Sequence, residues 1–306
     1  MRIGKISSKG PFQVTWIVCI AIVASATSAI GSAAEMPALT IPASSERHIG
    51  KVIWRELTTA DVEGTKSFYG GLFGWEFEEI GGAGARYTVA RQGGRPVAGI
   101  VSADPTALLK QPAWLSYLSV ADVDRTRKEV LRRGGRVARE PRTYLPRGRQ
   151  AVMVDPDGAT FGLLDSRSGD PADELAEPGE WIWSSLLTTR VDVDIAFYQD
   201  LFGFEVYDVE ASNGVEHAIL ASEEYARASV NTLPTGEGKR RPHWLNFVRV
   251  DDVPQSVAKA TSMGARVVVE PRIDRHGSAF AVLVDPAGAP FGIMEWSVAD
   301  SNGSAK

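Results

Sequence analysis

Short apolar runs separated by glycines dominate the chain from Lys51 onward. Residues 52–57 predict a strand, and residues 61–73 predict a helix because Val62, Phe68 and Leu72 share one helical face. Gly74 follows the last apolar residue, as expected at a helix end. Three further runs predict strands at residues 75–80, 86–92 and 96–102. The predicted order is one strand, one helix and three strands.

This order recurs along the chain. Residues 114–120 predict a strand, residues 123–133 a helix, and residues 136–140, 150–154 and 161–164 three strands. The whole scheme then returns: residues 68–75 reappear at 197–204, and residues 114–165 are identical to residues 244–295 at 20 of 52 positions. The chain therefore contains an internal duplication, with four modules of one plan.

The repeated segments predict two tight turns. Asp155-Pro156-Asp157-Gly158 returns as Asp285-Pro286-Ala287-Gly288, with apolar runs on both sides of each turn. Proline fixes φ and glycine supplies a positive φ, so each copy predicts a hairpin. The predicted domains are residues 51–165 and 181–297, joined by a polar linker at 166–180, after a spacer at 35–50 and before a tail at 298–306.

The first 34 residues differ from the rest. Basic residues precede an apolar stretch at 12–30, and small residues at Ser32 and Ala34 suit signal-peptidase cleavage after Ala34. We expect an exported protein, periplasmic or secreted. The alternative is a membrane anchor formed by residues 12–30. Cys19 is the only cysteine, so cleavage would leave a chain without thiols.

Composition narrows the classes of partner. The chain is 44% hydrophobic and 23% charged, as expected of a globular protein with a sizeable core, and its formal net charge is −5. No long basic run is present, so we expect no nucleic acid partner. A membrane would be contacted only through the export signal, and the oligomeric state stays open.

The helix with Phe68-Tyr69 and Leu72-Phe73-Gly74-Trp75, followed by the Asp-Pro-x-Gly hairpin, resembles the vicinal oxygen chelate superfamily. That superfamily includes glyoxalase I, bleomycin resistance proteins and extradiol dioxygenases. The resemblance covers nearly all of residues 51–296. It implies an α+β fold of four βαβββ modules, paired into two glyoxalase-like domains with curled mixed sheets and helices outside.

The resemblance also implies where a divalent metal would be bound, through the first and last strands of the modules. The first-strand positions carry Trp54, Leu115, Trp183 and Leu245, and the closing-strand positions carry Gly162 and Gly292. None of these side chains is a metal donor. We therefore predict no metal cofactor. The alternative is a relocated site around His243, which His217, His276, Glu56 or Asn231 could join.

Strand alternation predicts the lining of the two clefts. Ile53 and Leu57 should face the helix, which directs Trp54 and Glu56 into the first cleft. The candidate ligand-binding residues on this basis are Trp54, Glu56 and Tyr117 in the first domain, and Trp183, Ser185, His243, Phe247 and Arg249 in the second. The tryptophans could instead fill a closed core, and Glu56 could pair with a cation or act as a general base.

The loops at residues 144–149 and 274–278 differ between the two halves, and would select different ligands if both clefts bind one. Three classes of function stay open. The first is a small-molecule binding or sequestering protein of the cell envelope, like the bleomycin resistance proteins. The second is a divergent lyase, isomerase or dioxygenase, and the third is an interaction module. No catalytic residue can be assigned from the sequence.

Overall fold

A computed structural model describes residues 36–81, 87–102, 111–212, 215–233, 241–274 and 277–296. The predicted signal segment, Cys19, His276 and the tail lie outside the described residues. Among the residues described, no helix is long and apolar enough to span a bilayer. The predicted α+β class is confirmed, with the helices and strands in the predicted order.

The first domain contains β1 (Val52–Thr59), α1 (Val62–Phe73), β2 (Glu76–Ile80), β3 (Tyr87–Gln92), β4 (Arg95–Ser102), β5 (Ala113–Ser119), α2 (Val123–Arg132), β6 (Arg136–Tyr144), β7 (Gly148–Val154) and β8 (Thr160–Ser166). The second contains β9 (Trp181–Thr188), α3 (Val191–Phe202), β10 (Glu205–Ser212), β11 (Val215–Ser222), β12 (Tyr225–Thr232), β13 (His243–Arg249), α4 (Val253–Ser262), β14 (Arg266–Ile273), β15 (Ala279–Val284) and β16 (Pro290–Met294).

Each domain forms one mixed sheet of eight strands. The strand orders are β2-β3-β4-β1-β5-β8-β7-β6 and β10-β11-β12-β9-β13-β16-β15-β14. The first strands of paired modules, β1 with β5 and β9 with β13, join antiparallel at the centre of each sheet. Each first strand also pairs parallel with the last strand of its own module. Both sheets stay open, because β2 and β6, like β10 and β14, are edges.

The helix caps and hairpin turns form where the sequence predicts them. The Asp61 carboxylate accepts a hydrogen bond from the Gly64 amide and caps α1, and Gly74 ends this helix with a left-handed φ of 78°. In the hairpin between β7 and β8, the Asp155 carboxylate accepts hydrogen bonds from three backbone amides of its own turn. The Asp285 turn repeats this arrangement.

The helix-bearing faces of the two sheets pack against each other. One hydrophobic cluster joins Val130 and Phe161 of the first domain to Phe197 and Phe202 of the second. The other cluster joins α1 to α4 in the same way. The helices thus lie outside the clefts but between the domains, and the opposite face of each sheet carries the cleft residues.

A polar group lies where the central strands of the two domains meet. The Asn246 amide oxygen accepts hydrogen bonds from the Ser184 hydroxyl at 2.8 Å and the Ser116 hydroxyl at 3.0 Å. Arg55 donates to the same oxygen at 3.3 Å, and its burial lowers the pKa of the guanidinium to about 9. These hydrogen bonds join the central strands of the two domains.

One predicted orientation is wrong. The pairing of β1 with β5 shifts register between Val52 and Trp54, so Ile53 packs with Trp54 on the cleft face instead of against the helix. Leu57 lies on the helix side as predicted. A bulge of this kind breaks strict alternation, because it adds one residue to one strand of the pair.

The segment before β1 runs along the first domain. Leu39 is buried in the cleft cluster, and its amide donates to the Ser168 hydroxyl at 2.9 Å. Met36 donates from its backbone to the Leu145 carbonyl at 3.2 Å. Residues 36–40, which we call the covering segment, therefore lie against the turn between β6 and β7.

Candidate functional site

The first cleft brings together the two polar residues that the sequence predicts there. The Tyr117 hydroxyl donates to Oε1 of Glu56 at 3.3 Å, and Trp54 pairs with Tyr117 across β1 and β5. Trp54 donates through Nε1 to the Tyr87 hydroxyl at 3.1 Å. All four side chains are buried, so this cleft is closed around a carboxyl group.

Arg147 enters this cleft from the turn between β6 and β7. Its guanidinium lies 4.0 Å from the centre of the Trp54 ring, and its Nε donates to the Pro37 carbonyl of the covering segment at 2.6 Å. The side chain is fully buried. Gly148 makes the turn, with a φ of 136° and no space for a Cβ, which would lie 2.1 Å from the Asp165 carbonyl oxygen.

Burial and charge act in opposite directions on Glu56. Loss of solvent raises the pKa of this carboxyl above its ordinary value, and this effect outweighs the opposing charges of Arg139 and Arg147 and the hydrogen bonds from tyrosine hydroxyls. Burial likewise raises the pKa of Tyr117 well above its ordinary value. Both groups are therefore held toward their protonated forms.

The second cleft carries a different polar set at corresponding strand positions. Ser185 and Ser229 share a hydrogen bond of 2.7 Å, and Asn231 donates to Ser229 at 3.0 Å. The Asn231 amide oxygen lies 2.6 Å from Nδ1 of His217. Trp183 donates through Nε1 to Ser229 at 3.1 Å. These hydrogen bonds form one row across three neighbouring strands.

Aromatic rings flank this row. Trp183 and Trp296 stack with ring centres 6.2 Å apart, and Phe247 meets Phe280 edge to face at 6.3 Å. Trp183, Phe280 and Trp296 are only partly buried, in contrast to Trp54 of the first domain. The second cleft thus presents accessible aromatic surface beside polar atoms.

The two clefts differ because of a few substitutions between the repeats. Glu56 corresponds to Ser185, Tyr87 to His217, and Arg147 to Gly277 by the spacing of the repeat. Gly99 corresponds to Ser229, and a Cβ at Gly99 would lie 2.3 Å from the Tyr87 hydroxyl oxygen. At these positions the first cleft is therefore filled by long side chains, whereas the second carries shorter ones.

Two other predicted site residues have contacts outside this row. Arg249 donates through Nη1 to the Ala176 carbonyl at 2.6 Å and so binds the linker. His243 pairs with Leu187 of β9, and its Nδ1 lies 2.8 Å from the Arg241 carbonyl oxygen. Leu187 separates His243 from Asn231 in the sheet, because it pairs with both. Among the described residues, the group of histidine and acidic side chains that has the spacing of a metal site does not include His243.

The positions where the fold would bind a metal do not fit one. A Cβ added to Gly162 would lie 2.1 Å from the Tyr117 ring, and one added to Gly292 would lie 2.1 Å from the Phe247 ring. Aromatic rings therefore occupy the space that a closing-strand carboxylate would need. Arg147 adds a buried cation to the first cleft, which further disfavours a metal ion there.

One other group of side chains has the composition of a metal site. His48, Asp173 and Glu223 bring one ligand atom each within 4.8 Å of one another. Arg227 already pairs with both carboxylates, at 2.6 Å to Asp173 and 2.9 Å to Glu223, and Lys51 lies 2.8 Å from Asp173. This group is a salt-bridge network outside both clefts, with its acids already neutralised.

His48 is the titrating member of this network. Burial lowers the pKa of its imidazole, but the hydrogen bonds to Glu223 and Glu46 and the charge of Asp173 outweigh burial, so the pKa is raised. A protonated His48 would further exclude a cation.

A separate groove of about 560 Å³ lies between the 38–43 segment and the β6–β7 turn, and it contains none of the cleft residues.

The sequence missed several residues of the clefts. It flagged the loop at 144–149 as different between the repeats but did not place Arg147 inside the first cleft. It named His217 and Asn231 only as ligands of a metal, whereas they belong to the hydrogen-bonded row. No sequence pattern marked Tyr87 or Ser229 as cleft residues, because their role depends on which strands become neighbours.

Both sheets, their order and the position of the clefts define a member of a known class. The chain belongs to the glyoxalase/bleomycin resistance protein/dioxygenase superfamily, whose family profile matches residues 48–163. A second profile, that of a glyoxalase-like domain, matches residues 184–294. The tandem arrangement predicted from the sequence is therefore confirmed.

Particular relatives lie within this superfamily. The chain is 33% identical over 258 residues to "Putative glyoxylase CFP32" of Mycobacterium bovis, covering 83% of this chain and 98% of that protein. It is 30% identical over 259 residues to "Anthracycline biosynthesis protein DauV" of Streptomyces sp. strain C5, covering 80% of this chain and 93% of that protein.

A solved structure shares the fold. The Mn(II)-bound glyoxalase from Novosphingobium aromaticivorans superimposes with a TM-score of 0.59 at 19% identity, covering 81% of this chain and 83% of that one. The likeness concerns the fold alone at this level of identity. That glyoxalase is Mn(II)-bound, whereas the positions at which the resemblance implies a metal carry indole, leucine or glycine in this chain.

Proposed function

We propose that this protein binds a small organic molecule in the cleft of its second domain, without the divalent ion used by metal-dependent members of the fold. The observation that carries the proposal is the partly exposed Trp183–Trp296 stack beside the hydrogen-bonded row. Apolar rings supply contact area, and a few fixed polar atoms orient a ligand. The protein would act by sequestering its ligand, as a bleomycin resistance protein does.

The chemistry of this cleft favours a flat aromatic ligand with hydroxyl or carbonyl groups. Ser185, Ser229 and Asn231 are neutral and can both donate and accept hydrogen bonds. A flat ring would stack on the exposed face of the tryptophan pair. The relative named for anthracycline biosynthesis supports this class, since anthracyclines are polycyclic aromatic compounds.

The test is calorimetric titration of the protein with 1,4-dihydroxyanthraquinone and with smaller hydroxylated aromatics, in the presence of EDTA. We expect binding that survives the chelator. Trp183→Ala should weaken it by about tenfold, because the stacking surface is lost. Ser229→Ala should weaken it less, since one of several hydrogen bonds is removed.

Trp54→Phe in the buried first cleft is the matched control. It changes the corresponding tryptophan of the other repeat, and binding should stay unchanged. Equal losses from Trp54→Phe and Trp183→Ala would contradict a site in the second domain. Absence of binding across the aromatic series, together with Trp183 and Trp296 inaccessible to acrylamide quenching, would contradict the function itself.

A second candidate is a divergent lyase, isomerase or dioxygenase with a relocated metal site, and the group of His48, Asp173 and Glu223 is the observation that favours it. Its test is equilibrium dialysis with Zn²⁺, Mn²⁺, Ni²⁺ and Fe²⁺. One ion bound per chain, lost in His48→Gln, would favour this candidate. The salt bridges to Lys51 and Arg227 lead us to expect no such binding.

The place of action belongs to the same proposal. We propose that the chain is exported and cleaved after Ala34, as its first 34 residues predict. Cleavage would leave Met36 near the new terminus, and this residue bonds to Leu145 of the first domain. N-terminal sequencing of protein recovered outside the cytoplasm tests this, and an intact Met1 on membrane-bound protein would instead support the anchor.

A further inference from the structure

One carboxylate in the β7–β8 hairpin of the first domain holds the start of α3 in the second domain. Oδ2 of Asp157 accepts hydrogen bonds from the Thr188 hydroxyl at 2.7 Å and from the Thr189 amide at 2.8 Å. Oδ1 of Asp157 accepts from the Thr189 hydroxyl at 2.9 Å and from Nε of Arg190 at 3.0 Å. The three donor residues lie between the end of β9 and the start of α3. These bonds join the two domains, and we call them the hairpin latch.

Asp194 of α3 shares the central hydroxyl group of this latch. Oδ2 of Asp194 and Oδ2 of Asp157 both lie within hydrogen-bond distance of the Thr188 hydroxyl oxygen. A hydroxyl group carries one proton, so it cannot donate to two carboxylates at once. A protonated Asp194 resolves this conflict, because it donates to Thr188, and Thr188 then donates to Asp157. Asp194 is fully buried, and its Oδ1 has no hydrogen-bond partner among the described residues.

The surrounding charges place the proton on Asp194 and not on Asp157. Burial and the charges of Asp155 and Asp157 raise the pKa of Asp194 to about 7, against the opposing effects of Thr188 and Arg190. For Asp157, burial is outweighed by the hydrogen bonds that the latch donates, and its pKa is lowered. Tyr198 is a further titratable neighbour on α3, and burial raises its pKa well above the ordinary value. Two neighbouring carboxyl groups thus differ in charge because their environments differ.

We propose that the hairpin latch is a proton-controlled contact between the two domains, held closed by the proton on Asp194 and opened at the start of α3 when that proton is released to solvent. An ionised Asp194 competes with Asp157 for the single Thr188 proton and repels its charge. A buried carboxylate without a donor gains free energy by reaching water. The latch lies at the domain interface, so this inference does not depend on the proposed ligand.

The direction of the pH dependence follows from the two states of Asp194. A solvent-exposed aspartate has a pKa of about 4, so opening lowers the pKa of this carboxyl and releases its proton. Each rise in pH between about 4 and 7 therefore favours the open latch. Above about pH 7 the preference levels off, because Asp194 is then ionised in the closed state as well.

The opposite junction between the domains lacks both carboxylates of this device. By the spacing of the repeat, Ala287 stands where the first hairpin has Asp157, and Thr65 stands where α3 has Asp194. The Thr65 hydroxyl donates to the Thr59 hydroxyl at 3.4 Å, so a neutral pair replaces the shared proton. The two junctions have the same fold and differ in charge, which makes the second a control within the same molecule.

The experiment is hydrogen exchange of the full protein at about pH 5 and about pH 8, resolved to single amides by NMR and corrected for the intrinsic exchange rate at each pH. The Asp194 and Thr65 amides form a matched pair, because they donate to the equivalent carbonyls of Arg190 and Asp61. We expect protection of the Asp194 amide to fall by at least about tenfold more than that of Thr65.

Variants assign the response to the two carboxyl groups. Asp194→Asn supplies an amide that donates to Thr188 without titrating, so position 194 should stay protected at both pH values. Asp157→Ala copies the residue of the opposite hairpin and removes the acceptor of the latch. It should lower protection at position 194 by at least about tenfold at pH 5. In both variants the Thr65 amide should exchange as in the parent, which shows that the fold is retained.

Three results would overturn the proposal. The first is an equal fall of protection at Asp194 and Thr65 in the parent protein. The second is a pH response that persists in Asp194→Asn, and Asp194→Thr, which copies Thr65, provides the same readout if the first variant does not fold. The third is full protection at position 194 in Asp157→Ala, because the hairpin would then not hold the start of α3.

Discussion

The Tyr69 hydroxyl of α1 donates a hydrogen bond of 3.0 Å to the Asp285 carboxylate, which lies in the hairpin of the other domain. Tyr198 of the second domain donates the equivalent hydrogen bond, also of 3.0 Å, to Asp155 in the hairpin of the first domain. Each tyrosine also accepts from a tryptophan, Trp114 or Trp244. The repeated helix motif and the repeated hairpin therefore share one structural role. Each helix tyrosine binds the hairpin aspartate of the other domain, so the domains are joined at two equivalent places.

Tyr69→Phe tests this junction. The substitution leaves Asp285 without its tyrosine donor and Trp114 Nε1 without its acceptor, both in a buried place. We expect the free energy of unfolding to fall by about 1 to 3 kcal/mol, measured by urea denaturation. Tyr198→Phe should act similarly. A double-mutant cycle with Asp285→Asn should show coupling, and strict additivity would contradict a direct bond.

Asp194 should make stability depend on pH. Burial, the charges of Asp155 and Asp157 and the opposing effects of Thr188 and Arg190 together raise the pKa of this carboxyl to about 7. A raised carboxyl pKa stabilises the folded state below the unfolded pKa, and this contribution is lost as the pH rises through the window between about 4 and 7. Stability should therefore decline across this window.

Asp194→Asn should remove this dependence. We expect the variant to be more stable than the parent above pH 7, on the order of 1 to 3 kcal/mol, with little difference near pH 4. Thermal unfolding from pH 4 to pH 8 measures it. Thr65 occupies the corresponding helix position in the first domain, so Asp194→Thr copies a neutral residue the fold already accepts there. If the stability of parent and variant changed with pH in the same way, Asp194 would not be the source of the pH dependence.

Gly162→Ala should destabilise the first domain. The added Cβ would lie 2.1 Å from the Tyr117 ring, which is fully buried. We expect a loss of about 1 to 3 kcal/mol in thermal or urea unfolding. Replacing Tyr117 by leucine in the same chain should recover part of the loss. A Gly162→Ala variant as stable as the parent protein would mean that the Tyr117 ring does not occupy this space.

Removal of divalent metal should leave the fold unchanged. The positions at which the family resemblance implies a divalent ion carry Trp54, Leu115 and Gly162 in the first domain, so we expect EDTA to extract no structural ion. We expect the unfolding temperature to stay the same to within about 1 °C with EDTA. Elemental analysis that finds one tightly held divalent ion per domain would contradict this prediction.

The sequence by itself determined the fold and the duplication. Hydrophobic periodicity, Asp61 as a helix cap and the Asp-Pro-x-Gly turns are local signals, and each forms the predicted element. The repeat then fixed the number of modules, and the resemblance identified which strand positions had lost metal donors. These conclusions depend on neighbours along the chain or on the comparison of the two halves.

Only the tertiary structure decided what each cleft contains. Arg147 belongs to a turn whose sequence shows no preference for a buried place, yet packing brings it onto Trp54. His217 and Asn231 meet only because β11 pairs with β12. The Tyr69–Asp285 bond joins residues 216 positions apart. Contacts of this kind follow from strand order, register and domain docking, which are set by the burial of whole faces and leave no local pattern in the chain.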